Sequence, residues 1–486
     1  MEFAEKLNDI VSSLAWGPGT LAFFLLLGIY LTVRMKWFQV RHCPLWLRTT
    51  LFSMFSRAEV RKSRDKNMLS RFQALTTALA ATIGTGSVAG IATAIFFGGP
   101  GAVFWMWVSA FFGMMIGFTE KTLGVLYRYR GKDGSWIGGA MIYMERGLHS
   151  RWLGMLFSLF CVMASFCSGN MAQANSIATA LHSALGWDRL IAGIAVSALL
   201  GLVILGGLKR IASVSERLVP FMAGFFIVGG LAVIAANGEN LVPALAEIFH
   251  SAFAPRAAGG GMMGYTLSQA MRYGIARGVF SNEAGLGSSV MIHSASDVKE
   301  PAEQGMWGIL EIFLDTMVVC TITALVILTS GVYDQGAALT ELATRAADAG
   351  YRMDEAMLGA PLAVAAFSTL FGRWGGAFVA ISIALFAFSS LLCWAYYGER
   401  GLAYLTGTGR FSGIYKVLFA AAALAGSMAD LAAVWAVSDT FNALMLLPNL
   451  AAIALLSPKA IRAAGEYLRG RESAAAGGKK HRKRAP

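Results

Sequence analysis

Two short stretches carry residues whose types and spacing could do chemistry. "GTGS", Gly84 to Ser87, sets two glycines beside two hydroxyls, Thr85 and Ser87, and with Gly90 it reads G-x-G-x-x-x-G. That is close to the glycine fingerprint that cradles a dinucleotide pyrophosphate. "GVFSNEAGLG", Gly278 to Gly287, sets Ser281, Asn282 and Glu283 among three more glycines. Glycines weaken a helix, and a helix that breaks frees its N–H and C=O groups. Freed N–H groups at a helix start suit an anion, and carbonyls and hydroxyls suit a hard cation. "GNMAQANSIA" adds the amides Asn170, Gln173 and Asn175, and "FSS" adds Ser389 and Ser390. The five cysteines are scattered without a C-x-x-C pair, and the six histidines form no cluster. Scattered thiols in apolar segments read as buried and reduced. No catalytic group and no cofactor is expected, which speaks against a membrane-embedded enzyme.

The elements that must position these residues are set by composition. Of 486 residues, 56% are hydrophobic and only 14% charged, where a soluble domain carries about a quarter. Mean hydropathy is +0.58. Apolar runs fall near 15–33, 72–97, 102–118, 153–182, 189–208, 218–236, 264–292, 305–330, 370–396, 412–429 and 431–457. Each approaches the roughly 20 residues that cross a bilayer as a helix. They are too long and too continuously apolar for barrel strands, so the expected fold is an all-α integral membrane protein of about eleven spans. "GTGS" lies inside one such run, with no charge between Phe72 and Pro100. A dinucleotide loop follows a strand instead, so that reading is set aside. Two remain. Gly86 and Gly90, four apart, let membrane helices approach closely; or the helix is interrupted and its freed backbone lines a binding site.

Lys and Arg collect on the cytoplasmic side of a membrane protein. Nine of them lie between Arg34 and Lys66, and the chain ends "KKHRKRAP". Both segments read as inside, which places the N-terminus outside and the C-terminus in the cytoplasm of an inner-membrane protein, as an odd span count requires. The acid-rich loop 331–369 then falls outside and the basic segment 121–151 inside. The net charge of +12 is thus read as topology, with a disordered basic tail and no nucleic-acid partner. "MEFAEKLNDIVSSL" is amphipathic and carries acids, unlike a signal peptide.

The first broken run is span two and the second is span seven. Five spans separate them, so spans two to six and seven to eleven form halves of opposite orientation, each opening on a broken helix. That is the layout of inverted-repeat transporters, whose sites lie at the breaks near the midplane. A channel would need a continuous polar pore instead. The expected organisation is an N-terminal helix and basic loop (1–71), a first five-helix repeat (72–236), an extracellular connection (237–263), a second repeat (264–457) and the basic tail (458–486).

Six blocks in order, "TALAATIGTGSVAGIATAIFFGGPGAVFWMW", "GNMAQANSIA", "RGVFSNEAGLGSS", "FLDTMVVCTITALVIL", "FVAISIALFAFSSLLCWAYYGER" and "LMLLPNLAAIALLS", resemble the alanine or glycine:cation symporter family, the sodium:alanine symporters. The likeness runs over roughly residues 70–460. It implies the fold of the bacterial leucine transporter with one extra helix in front. It also implies uptake of small neutral amino acids, chiefly alanine and glycine, coupled to Na+ and less usually to protons. By that analogy the substrate carboxylate meets the N–H groups around Thr85, Gly86 and Ser87, and its ammonium meets the turn at Phe280, Ser281 and Asn282. Asn170 and Gln173, three apart on one helix face, lie beside it, and Phe280 and Trp394 wall it. The sodium sits between carbonyls near Ala80 and Ile83 and the hydroxyls of Ser389 and Ser390, although those hydroxyls could equally bond back to their own helix.

Glu283, Asp315 and Arg277 are costly at membrane depth. Glu283 is expected in a structural ion pair or an inner-gate contact, and no role is assigned to Glu311 or His293. Two departures stand out. The family usually has Asn where this chain has Ser87, which leaves ion number and substrate size open. Its usual "GGP" before Met is here Gly138-Gly139-Ala140-Met141. A symporter of another small solute, a proton-coupled one, or a sensor that kept the fold and lost transport remain alternatives. The oligomeric state is not legible.

Overall fold

The computed structural model describes residues 2–63, 65, 67–131, 134–253, 263–333, 359–429 and 431–482. Arg64, Lys66, Lys132 and the acids of 334–358, all used above for orientation, lie outside the described residues. The helices that matter are α1 (Glu2–Ala15), α2 (Pro18–Arg34), α3 (Arg71–Thr82), α4 (Ala89–Gly98), α5 (Gly101–Tyr127), α6 (Arg151–Phe166), α7 (Ala172–Leu185), α8 (Arg189–Ile204), α9 (Gly207–Ala236) and α10 (Leu241–Phe253). They continue as α11 (Met263–Asn282), α12 (Val290–Ser294), α13 (Pro301–Ile312), α14 (Thr321–Thr329), α15 (Gly375–Thr406), α16 (Ser412–Met428) and α17 (Leu431–Arg482).

Seven helical stretches among the described residues are long and apolar enough to cross a membrane. The other four expected runs fall on the two interrupted helices, α3–α4 and α11–α12, and on the shorter apolar α8 and α16. Large apolar side chains stand exposed on the outer helices, among them Leu202, Phe221, Val228 and Val417, each more than half exposed. Such a belt faces lipid, where burial in protein is not needed.

Local chemistry explains where the broken helices start. Ser70 caps α3 in a capping box: its hydroxyl accepts from Gln73 N at 3.0 Å, and Gln73 Oε1 accepts from Ser70 N at 3.1 Å. Leu69 N donates to Ala295 O at 2.9 Å and Asp297 N to Leu69 O at 2.8 Å, so the entry to the first broken helix is stitched to the exit of the second. Arg71 reinforces the stitch through Glu303. The helix α3 then packs on α9 and α15, while α5 packs on α11 and α13.

Three features differ from the sequence reading. The connection 237–263 contains α10, too short to span, which packs along α5. Tyr129–Arg130 and Trp136–Ile137 form a two-stranded ladder, Tyr129 opposite Ile137 and Arg130 opposite Trp136, beside Gly138-Gly139-Ala140-Met141. The tail was expected to be disordered, but α17 continues through Arg482. Two spans also carry wide π turns, Cys167–Met171 between α6 and α7 and Phe313–Cys320 between α13 and α14.

Candidate functional site

The first break comprises Ile83 to Val88. Its bridging backbone bonds run from Gly84 N to Thr82 O, Ser87 N to Gly84 O and Val88 N to Thr85 O. The N–H groups of Thr85 and Gly86 are left outside the ladder, just ahead of α4. Close approach favours glycine here. A Cβ on Gly84 would lie 2.8 Å from Ser390 Oγ, and one on Gly86 would lie 3.2 Å from the Phe280 ring. The second break, Glu283 to Ser289, turns through three left-handed residues, Glu283 (φ 54°), Gly285 (φ 82°) and Gly287 (φ 78°).

The breaks face one another across a small cavity. Its walls include Gly84 and Gly86 from the first break, Phe280 and Ser281 from the end of α11, Glu283 from the second break, and Ser168, Gln173, Trp394 and Asn442 from three neighbouring spans. Thr85 stands one bond back, its hydroxyl 3.2 Å from Gln173 Oε1. Phe280 also lines a second cavity with Trp16, Arg277 and Asp439, and its ring centroid lies 5.7 Å from that of Trp435. Phe280 is therefore the partition between the two. Beside it Arg277 pairs with Asp439 at 3.2 Å.

Some expected contacts turn out otherwise. Asn170 is not in the cavity wall: it sits in the π turn and donates to Phe419 O in α16 at 2.6 Å. Asn282 is likewise turned aside, donating to Thr316 Oγ1 at 3.0 Å and accepting from Ala284 N at 2.9 Å. Both amides hold helices together, as polar groups in lipid often do. Of the two expectations for Glu283, the ion pair is not found: no Lys, Arg or His among the described residues lies within ion-pair distance of it, and it is hydrogen-bonded instead by Ser288 Oγ and the Trp394 side chain.

The proposed sodium residues do meet. Ser389 Oγ donates to Ala80 O at 2.9 Å, and Ser390 Oγ donates to Ala80 O at 3.2 Å and Ala81 O at 3.1 Å. Ile83 is buried at the end of α3. Both serines also bond back to Phe386 O, so the two readings of "FSS" share one geometry. Carbonyl and hydroxyl oxygens in this arrangement suit a hard cation.

Sequence reasoning missed a second oxygen cluster. Asp315, fully buried in its π turn, accepts from Ser87 Oγ at 2.8 Å, Ser281 Oγ at 2.9 Å and Thr316 Oγ1 at 3.1 Å. Ser87 and Ser281 also touch at 3.1 Å, and Thr323 Oγ1 donates to Ser87 O at 2.8 Å. The first break and the end of α11 thus converge on one carboxylate. The signal was an acid inside an apolar span; its partners, 228 and 34 residues away, were not readable.

Beneath the second break lies a buried charge network. Lys121 Nζ is 3.2 Å from Glu120 and 3.3 Å from Glu311, and His293 Nε2 is 3.2 Å from the same Glu311 oxygen. Gln304 bonds the other ring nitrogen of His293. Glu120 accepts from Gly287 N at 3.1 Å and from Asn449 at 2.6 Å, and Asn449 donates to Gly285 O at 2.7 Å. The unwound loop is thereby pinned. Glu311, without a role from sequence, is one of its anchors.

Residues 1–482 match the profile of the "Sodium:alanine symporter family". The chain belongs to the sodium:alanine symporter family. It is similar to the sodium/alanine symporter AgcS of Methanococcus maripaludis, 41% identical over 461 residues, 94% of this chain and 95% of that one. It is also similar to the probable sodium/glutamine symporter GlnT of Bacillus subtilis, 35% identical over 468 residues, 96% and 91% of the two chains. Among solved structures it resembles MhsT in complex with L-phenylalanine, with a TM-score of 0.55, 14% identity, and 82% and 93% of the two chains covered. That likeness supports the leucine-transporter type of fold. This member of the sodium:alanine symporter family is a multi-pass membrane transporter and not an enzyme; its class couples an amino acid to Na+.

Proposed function

We propose that the protein imports alanine, glycine or a closely related small neutral amino acid together with Na+, with its N-terminus outside and its C-terminus in the cytoplasm. The observation that carries this is the small cavity bounded by both helix breaks and narrowed by Phe280, Trp394 and Leu286. The free N–H groups of Thr85 and Gly86, at the positive end of α4, suit the substrate carboxylate. Gln173 and Ser281 add polar contacts. Sodium binds at Ala80, Ile83, Ser389 and Ser390, and the Asp315 cluster offers a second set of hard oxygens. The first group joins α3 to α15 and the second joins the first break and the end of α11 to the π turn of 313–320. A cation that satisfies either set stabilises one arrangement of these elements, which is how an ion gradient biases alternating access. By linkage, sodium and substrate raise each other's affinity equally.

Glutamine is the second reading. Asn442 lines the cavity, and its Oδ1 is buried without a partner, an acceptor that a side-chain amide could satisfy. Competition for labelled alanine uptake by unlabelled alanine, glycine, serine and glutamine separates the two. Stronger competition by glutamine than by alanine would overturn the small-substrate reading, and competition by none would overturn both.

A further inference from the structure

Glu283 is an expensive residue with no evident purpose in the fold. It is 4% exposed, at membrane depth, with no cationic side chain among the described residues within ion-pair distance. Burying a lone carboxylate is costly, and such groups are kept where a partner arrives. Its backbone is left-handed, φ 54°, a conformation that a side chain of this size rarely adopts. Strain of this kind is held where a side chain must be aimed. The aim is the cavity: among the walls that contain Gly84, Gly86, Gln173, Ser281 and Asn442, Glu283 is the one acidic side chain. Ser288 Oγ donates to Oε2 and, with a hydrogen bond from the Trp394 side chain, holds its rotamer. Asp315, on the next span, differs. Its oxygens are taken by three hydroxyls, and it is not part of the cavity wall.

We infer that the Glu283 carboxylate is the counter-charge for the substrate's ammonium group. The zwitterion then lies across the cavity, its carboxylate on the N–H groups of Thr85 and Gly86 and its ammonium on Glu283, with the side chain toward Phe280 and Trp394. This moves the ammonium from the carbonyls of the Phe280–Ser281 turn to a charged partner. It also sets a specificity rule: an acid without the amine leaves Glu283 unpaired, and a substrate with an anionic side chain meets a like charge.

The inference rests on the amino-acid reading above, and the test separates the two. Purified full-length protein in proteoliposomes is assayed for alanine uptake in competition with L-lactate, which replaces the ammonium with a hydroxyl. Wild type should prefer alanine to lactate by about hundredfold or more, as sites built for a polar group reject analogues lacking it. In Glu283→Gln the apparent affinity for alanine should fall about tenfold or more while that for lactate holds or rises, so that the preference collapses. Glu283→Asp should recover part of it. A preference that survives Glu283→Gln overturns the inference, as does a changed sodium half-activation with the alanine-to-lactate ratio intact, which would assign Glu283 to the ion. Should Glu283→Gln fail to fold, Ser288→Ala, which only frees the rotamer, should weaken alanine and spare lactate; an equal change in both also overturns it. Wild type that takes up no alanine sinks the transport reading, not this one alone.

Discussion

The two helix breaks do the same geometric job with opposite chemistry. The first, Ile83 to Val88, carries no charge of its own and is built from glycine backbone and two hydroxyls. The second, Glu283 to Ser289, opens on a buried acid and rests on the Glu120–Lys121–Glu311 network through Gly287 N and Asn449. The first can therefore receive an anion on bare N–H groups, and a cation on carbonyls such as Ala80 O. The second supplies negative charge and rigidity. Pinning is lopsided as well: the half-helix beyond the second break, α12, has only five residues. Arg128 closes its end, donating to Ser294 O at 2.9 Å and Ser296 O at 2.7 Å. Burial lowers that guanidinium to about 10, above neutral pH, so it stays charged in its role.

If this contrast is right, the largest effect should come from the support of the second break. Lys121→Met leaves Glu120 and Glu311 buried and uncompensated, which should cost about 3–5 kcal/mol, seen as a lowered thermal unfolding midpoint. Combining it with Glu120→Gln and Glu311→Gln should restore most of that loss. No recovery would mean that Lys121 matters for packing rather than charge.

Next comes the first break. Gly86→Leu puts a side chain against the Phe280 ring and over the freed N–H groups, and should weaken alanine binding by about hundredfold or more, about 2.7 kcal/mol. Folding should be kept, since the break carries no buried charge. Unchanged affinity by calorimetry would contradict the carboxylate placement.

The sodium cluster should show a smaller, more selective effect. Ser389→Ala with Ser390→Ala should raise the sodium concentration for half-maximal uptake about tenfold, about 1.4 kcal/mol. Alanine affinity at saturating sodium should hardly move. A loss confined to alanine affinity would reassign the pair.

Smallest of all is Ser87→Thr. It keeps the hydroxyl that reaches Asp315, and should change sodium activation by less than about threefold, the scale of a modest hydrogen-bond adjustment. Ser87→Ala, which removes that donor, should exceed it; equal effects would show that the hydroxyl is idle.

Much of this contrast was legible in the sequence, and the limits have physical reasons. Spans are legible because lipid demands some twenty apolar residues in a row. The breaks are legible because glycine and polar side chains inside such a run need an explanation. Ser389 and Ser390 could be named, though only the fold shows that both hydroxyls reach α3. The π turns that carry Asn170 and Asp315 leave no mark in residue spacing, so Asn170 was placed at the cavity when the extra residue per turn swings it toward α16. Lys121 and Glu311 lie far apart in sequence, and pairing at that distance is a property of packing. Ser87, where the family resemblance leads the sequence reading to expect asparagine, reads as a loss of an amide. In the fold its short hydroxyl is what reaches Asp315 at 2.8 Å and Ser281 at 3.1 Å.

The most direct test of sodium-coupled import of a small amino acid is uptake of labelled alanine into proteoliposomes holding the purified protein. An inward sodium gradient is compared with an equal gradient of potassium. The account predicts concentrative uptake with sodium and only equilibration or none with potassium. Equal accumulation under both gradients would contradict it.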